Sequence, residues 1–207
     1  MPRQPGLPPS VRIALLRRRG SVGVLVVVLL MIAGAWSRSR SGGGDFETYH
    51  NKVFTVVNVV DGDTVDINVP DGKYAHTRIR LWGVDTPEVA GSPRGAMYFG
   101  AEASMFTKRT LAGRGVRVLL SPKRTRDKYH RLLAYLEVAD TGDRFNEMLV
   151  AEGMAYADWR FDHPLKSRYK AIERKARKAG VGLWAHVTRD QMPPWRERME
   201  RELNYTP

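Results

Sequence analysis

The chain has 207 residues, enough for one domain with a proper core plus extensions, and its 43% hydrophobic and 27% charged content is that of an ordinary globular protein. It contains no cysteine, which excludes disulfides, thiol catalysis and thiolate metal sites. The formal net charge of +12 suggests a polyanionic partner, but seven arginines and no acid lie in residues 1–44, so residues 45–207 carry 27 basic and 22 acidic side chains and only +5; charge alone is thin support for nucleic-acid binding.

In chain order, three arginines at 17–19 precede an uncharged run over residues 20–36 whose centre, 24–32, is strongly apolar. A basic flank before such a run predicts an N-terminal hydrophobic helix, either an export signal or a single membrane anchor. The run is somewhat short of the ~20 residues that span a bilayer. Ala33, Gly34 and Ala35 offer a small-x-small cleavage site, which favours a removed signal peptide, whereas Trp36 suits a membrane interface and favours a retained anchor. Both readings stand at this level. Residues 37–44, serine and arginine and then glycine, read as a flexible solvated linker, with folded structure beginning near Asp45. The resulting division is a signal peptide or membrane anchor over 1–36, a linker over 37–50, a folded domain over 51–187 and a C-terminal tail over 188–207.

Within the domain, residues 52–60, 64–69, 76–84, 116–120 and 132–138 are rich in β-branched and aromatic residues or alternate in polarity, and predict five strands. Turn residues separate the first three: Asp61-Gly62-Asp63 and Pro70-Asp71-Gly72. Residues 100–111 and 146–152 predict helices closed by Gly113 and Gly153. Leu165, Tyr169, Ile172, Ala176 and Ala179 recur at helical spacing, basic residues fill the other faces, and Gly180 and Gly182 stop the helix. Five short strands with helices inserted late fit an α+β fold built on a five-stranded Greek-key β-barrel of the OB type, with about three α-helices. The tail, with Trp195 and mixed charges, reads as a short helix or a disordered end and is assigned no function.

Three segments carry candidate chemistry, and each has a plain alternative. Asp61-Gly62-Asp63-Thr64 alone is a hairpin turn, for which Asp and Gly are ordinary choices. The segment 80–88 (Arg-Leu-Trp-Gly-Val-Asp-Thr-Pro-Glu) is an apolar strand carrying Arg80 and ending in two carboxylates; a solvated surface arginine and a buried, anion-paired one are comparable readings. The run 126–131 before a strand is most simply a charged loop. Together the three supply what phosphodiester hydrolysis needs. Asp63 and Asp85 are hard oxygen ligands for a cation such as Ca2+, which polarises a phosphoryl oxygen and can hold the water. Glu88 can accept or orient the water's proton. Arg80 and Arg131 can clamp the phosphoryl oxygens as charge develops.

The ordered set of these segments with 98–104, 127–135, Asn146-Glu147 and Gly182-Leu183-Trp184 resembles the staphylococcal nuclease (thermonuclease) family over about residues 52–184. The resemblance implies an OB-fold nuclease domain over 51–187 and Ca2+ held by Asp63, Asp85 and the Thr86 carbonyl, with Asp61 reaching the metal through water. It implies Glu88 as general base or water-orienting group, and Arg80 and Arg131 as phosphate clamps. Lys128 and Tyr129 would hold a terminal phosphate, and Trp159 and Phe161 would lie near the base. The implied activity is a Ca2+-dependent, sequence-tolerant endonuclease that cuts DNA and RNA, single-stranded or loosened duplex, leaving 3′-phosphates. The protein would be a monomer, exported and either secreted, periplasmic or held on the membrane through residues 20–36. The alternative is an inactive OB-fold module that binds nucleic acid and is tethered to the membrane; a third reading is a membrane-anchored scaffold. One departure bears on Arg131: His130 stands where the family usually has glycine, at a turn that a positive φ would serve.

Overall fold

Alternating side chains decide the core. Val65 and Ile67, Ile79 and Leu81, Val116 and Val118, and Leu132, Ala134, Leu136 and Val138 all point inward and are buried. Fully burying each of the larger ones contributes roughly 1.5–3 kcal/mol. The computed structural model describes residues 43–204; the hydrophobic leader expected at 1–36 lies outside the described residues.

Five strands, β1 (Lys52–Val59), β2 (Thr64–Ile67), β3 (Thr77–Leu81), β5 (Gly115–Leu119) and β6 (Leu132–Val138), form a closed barrel in the order β1-β2-β3-β6-β5. All pairings are antiparallel except β3 with β6, where Ile79 faces Leu132 and Arg80 faces Leu133. A second, two-stranded sheet pairs β4 (Val84–Asp85) with β7 (Tyr156–Ala157). The expected α+β barrel is therefore present. The strand expected over 76–84 divides, however: Gly83 at φ 81 turns the chain between β3 and β4, and a side chain there would overlap the His163 ring.

Five α-helices lie among the described residues rather than about three: α1 (Gly43–Tyr49), α2 (Gly100–Leu111), α3 (Phe145–Ala151), α4 (Lys166–Ala179) and α5 (Pro194–Asn204). The two additions sit where a linker and an unassigned tail were expected. The 37–50 linker stops short because α1 is anchored: the Tyr49 ring is buried and its hydroxyl hydrogen-bonds Thr77, while Asp45 accepts from both Thr125 and Arg126. Arg126 reaches Asp71 as well, tying α1 to the β2–β3 loop. The tail forms α5, which opens at Pro194, a residue pre-set for a first helical position. Among the described residues no helix is long and apolar enough to cross a membrane.

Candidate functional site

The site begins at the β1–β2 turn. Asp61 Oδ1 accepts from the Asp63 backbone N–H at 3.0 Å, an Asx turn that shapes the loop. Gly62 packs so closely on Thr86 that a Cβ there would overlap the threonine side chain, and its carbonyl accepts from Thr107 of α2 at 2.6 Å. Asp63 is thereby fixed, and its Oδ2 accepts from the Thr86 backbone N–H at 2.8 Å. Thr86 follows β4, which the Gly83 turn and Asn146 hold in place; Asn146 Nδ2 donates to the Trp82 carbonyl while its Oδ1 accepts from Leu136.

Arg80 projects from the outer face of β3, beside Arg78. Arg78 pairs with Asp66 at the rim and is half exposed. Arg80, with 14% of its side chain exposed, bridges two carboxylates: Nη1 pairs with Asp63, and Nη2 donates to Asp85 Oδ1 at 2.7 Å. Of the two readings open for Arg80, the buried, anion-paired one holds. Its Nη1 makes no directional hydrogen bond. Burial works against the charge on Arg80, but Asp63, Asp85, Asp61 and Asp158 outweigh it and hold the guanidinium above its usual value. Burial pushes Asp63 up to about 7, with Asp61 and Asp85 adding to the shift and Arg80 and the Thr86 N–H opposing it.

Asp85 has two further donors. Arg160 Nη2 lies 3.1 Å from Oδ1, and the Trp195 indole N–H donates to Oδ2 at 2.7 Å. Neither residue was picked out from the sequence as part of a site. Arg160 carried no signal beyond its charge, and Trp195 lay in the tail, outside the family resemblance. An aromatic residue directly after Pro193-Pro194 was the one available cue.

The cluster's chemistry suits a cation. Four carboxylates, at 61, 63, 85 and 158, face two guanidiniums, at 80 and 160, leaving a formal charge of −2. Each carboxylate oxygen can accept two bonds. Asp63 Oδ1 accepts one, from Thr64, and Asp85 Oδ2 accepts one, from Trp195, so each retains acceptor capacity for a hard ion. Among the described residues no group of three or more His, Asp or Glu side chains stands in a metal-ligating arrangement, so a cation here would draw on two carboxylates, backbone oxygen and water.

The other expected residues have their own partners, and of them only Phe161 touches this cluster, through Arg160. Glu88 shares no hydrogen bond or ion pair with Asp63, Arg80 or Asp85; its Oε2 accepts from Ser92 at 2.6 Å, and Arg94 stands 3.7 Å from Oε1. The loop holding Glu88 is pinned where α2 begins: Met97 N–H donates to the Glu88 carbonyl, and a Cβ at Gly100 would overlap that carbonyl. Gly100→Ala should therefore cost about 1–3 kcal/mol through backbone displacement, read as a lower denaturation midpoint.

Arg131 lies in a loop organised by Asp127, whose Oδ1 accepts the N–H groups of Tyr129 and Arg131. The Arg131 guanidinium pairs with Asp127 Oδ2 at 2.7 Å and lies against the Tyr129 ring, whereas Arg80 pairs with Asp63 and Asp85. His130 has φ 64, the left-handed conformation for which glycine is the less strained residue. Lys128 and Tyr129 are exposed on this loop, the ammonium 4.9 Å from the ring centre. Trp159 is packed against the core and covered by Arg196 and Lys170, at 4.2 and 4.3 Å from its ring, so its faces have protein partners. Phe161 is 46% exposed, flanked by the Arg124 and Arg160 guanidiniums.

Comparison with known proteins places this geometry among relatives. Residues 78–186 match the family model described as Staphylococcal nuclease homologue. The thermonuclease of Staphylococcus hyicus is 31% identical over 167 residues, covering 79% of this chain and 95% of the relative. The thermonuclease of Staphylococcus intermedius is 32% identical over 172 residues, covering 79% and 96%. The micrococcal nuclease of Shigella flexneri is 27% identical over 187 residues, covering 86% and 92%.

Proposed function

The chain belongs to the staphylococcal nuclease family, and from that premise we propose that it is a Ca2+-dependent endonuclease hydrolysing phosphodiester bonds of DNA and RNA. The observation that carries the reading is the buried Arg80 bridging Asp63 and Asp85 in a cluster of net negative charge. A surface arginine with no anionic substrate would not need this burial, and unpaired buried carboxylates would be costly.

Asp63 and Asp85 would hold Ca2+, with the Thr86 carbonyl as a further oxygen ligand and Asp61 acting through water. When bound, the ion would polarise a phosphoryl oxygen and lower the pKa of water. The remaining work falls to the chain's own groups. Arg80 Nη1 pairs with Asp63 and carries a second N–H that can donate to a phosphoryl oxygen. Arg131 reaches a second oxygen by exchanging Asp127. That pair is partly solvated and lies within one loop, so leaving it costs about 1 kcal/mol or less, which a phosphate contact offsets. Glu88, one third exposed, accepts or orients the proton of the attacking water. Attack is in line, the 5′-oxygen leaves, and a 3′-phosphate remains. Phe161 and the Lys128–Tyr129 loop offer stacking and cationic contacts to the strand, as in sequence-tolerant binders. The basic flank at 17–19 and the apolar run 20–36 support export, with the nuclease domain outside the cytoplasm.

The test is cleavage of single-stranded DNA by the full chain, with Ca2+ and then with excess chelator. Ca2+-dependent cuts leaving 3′-phosphates are expected; tight binding of nucleic acid with no cleavage would favour the inactive binding module. The Ca2+ requirement should also depend on pH. Asp63 has a raised pKa in the folded chain, so without cation its contribution to stability is complete below the usual value of 3.8 and is lost as pH rises through about 7. The ion competes with that proton. The half-saturating Ca2+ concentration should therefore fall between pH 6 and pH 8, measured by calorimetric titration without nucleic acid.

A further inference from the structure

The C-terminal helix α5 belongs to the same site. Its second residue, Trp195, is nearly buried, and its indole N–H donates to Asp85 Oδ2 at 2.7 Å across 110 residues of sequence. The indole is itself held on two sides. The Arg160 guanidinium lies 4.4 Å from its ring centre while also pairing with Asp85 Oδ1 and, bidentately, with Asp158. The Tyr156 ring meets it edge-on, and Tyr156 stands opposite Asp85 in the β4–β7 pairing. The strand carrying Asp85 and the residues surrounding its carboxylate thus form one packed unit.

The next residue shows that the helix is fixed in place. Arg196 is 1% exposed and bonds Glu173 of α4 and Glu200 one turn along its own helix. Its guanidinium also lies 4.2 to 5.8 Å from the ring centres of Trp159, Trp184 and Tyr156. Arg177 of α4 reaches Glu200 at 2.7 Å. A buried ion network adds little net stability, but it penalises every register in which a charge loses its partner. The setting of α5 on α4 that satisfies Arg196 also brings the Trp195 N–H to Asp85.

We propose that Trp195, backed by Arg160, is a positioning residue of the nuclease site: its indole N–H fixes the rotamer of the Asp85 carboxylate so that the acceptor capacity left on Oδ2 is presented to the cation. The proposal rests on the nuclease reading and extends it to a segment outside the family resemblance. Groups that hydrogen-bond a metal-binding carboxylate orient it, and their loss typically weakens metal binding or activity by about 10–100-fold. Phenylalanine at 195 keeps an aromatic ring against Tyr156 and Arg160 and removes the donor, together with the second ring of the indole.

The experiment uses the full chain with three proteins: parent, Trp195→Phe, and Glu197→Gln, which alters an exposed ion pair to Arg201 on the same helix. Ca2+ binding is measured by calorimetry without nucleic acid, DNA cleavage at saturating Ca2+, and thermal unfolding in parallel. Trp195→Phe is expected to bind Ca2+ about 10–100-fold more weakly while still folding with a moderately lower melting temperature, with Glu197→Gln matching the parent throughout. Parental affinity in Trp195→Phe overturns the proposal. Tighter binding overturns it too, because the indole would then be blocking the carboxylate. If Trp195→Phe melts far lower, Trp195→Tyr, whose hydroxyl restores a donor on an aromatic ring, is compared with it; equal Ca2+ affinities in the two reject the N–H role. A parent that neither binds Ca2+ nor cuts DNA is evidence against the nuclease reading, whereas a parent that does both and is indifferent to Trp195→Phe rejects only the role of the helix.

Discussion

Arg80→Lys should leave a folded protein whose kcat on DNA falls by about 10²–10³-fold, the usual loss when one preorganised donor to a developing oxyanion is removed. The charge is conserved but the geometry is not. Arg80 spends Nη1 on Asp63 and Nη2 on Asp85 at the same time, and a single ammonium cannot span both while also facing a phosphoryl oxygen. One carboxylate then loses its partner in a site where Asp63 is already crowded by Asp61 and Asp85. A stability loss should accompany the rate loss. Removing a partner outright from a buried pair costs about 3–5 kcal/mol, and lysine should fall below that because it keeps one ion pair. Denaturant melts and single-turnover kinetics separate the two effects. A variant that cuts at the parental rate would show that Arg80 is a structural bridge only.

Glu88→Gln should behave in the opposite way, with a normal melt and a rate reduced by about 10²–10⁴-fold, the range for a positioned general acid or base. The amide oxygen of glutamine still accepts from Ser92, and the contact with Arg94, at 3.7 Å on an exposed edge, contributes little to stability. The backbone around Glu88 is fixed by Met97 and by the close approach of Gly100, neither of which the substitution touches. What disappears is basicity. Parental kinetics in this variant would remove Glu88 from the mechanism and leave the water's proton to another group.

The barrel was legible in the sequence because its signals are local. The helix over 100–111 and the strand over 132–138 fall where periodicity puts them, and Asp61-Gly62-Asp63 is a turn as its residue types require. The break at Gly83 was not legible, since the apolar run from Arg80 to Val84 reads as continuous and the turn depends on the His163 ring packed beneath it. The helix over 43–49 was hidden for a similar reason: seven residues beginning in glycine have little intrinsic tendency to be helical, and Tyr49, Asp45 and Arg126 stabilise it through partners far along the chain. For the site, residue chemistry pointed to Asp63 and Asp85 as cation ligands and left a buried, anion-paired Arg80 as one of two readings; that its partners are those same two carboxylates came from the fold. The company of Arg160 and Trp195 had no such pointer, because it arises where β7 and the last helix meet β4. The glycine-to-histidine departure at 130 was visible, and the structure gives it its meaning, a left-handed residue in the turn that carries Arg131.

The parallel pairing of β3 with β6 also governs when the barrel can close. Ile79 meets Leu132 and Phe54 meets Val116, so neither seam can form until β5 and then β6 have been made. Contacts this distant in sequence form late and slowly. The acidic turn and Arg80 are synthesised early, but the strand that buttresses them arrives dozens of residues afterwards and α5 last of all. The cluster of Asp63, Arg80 and Asp85 thus gains its closed frame only once β6 has been made, and its Trp195 contact later still.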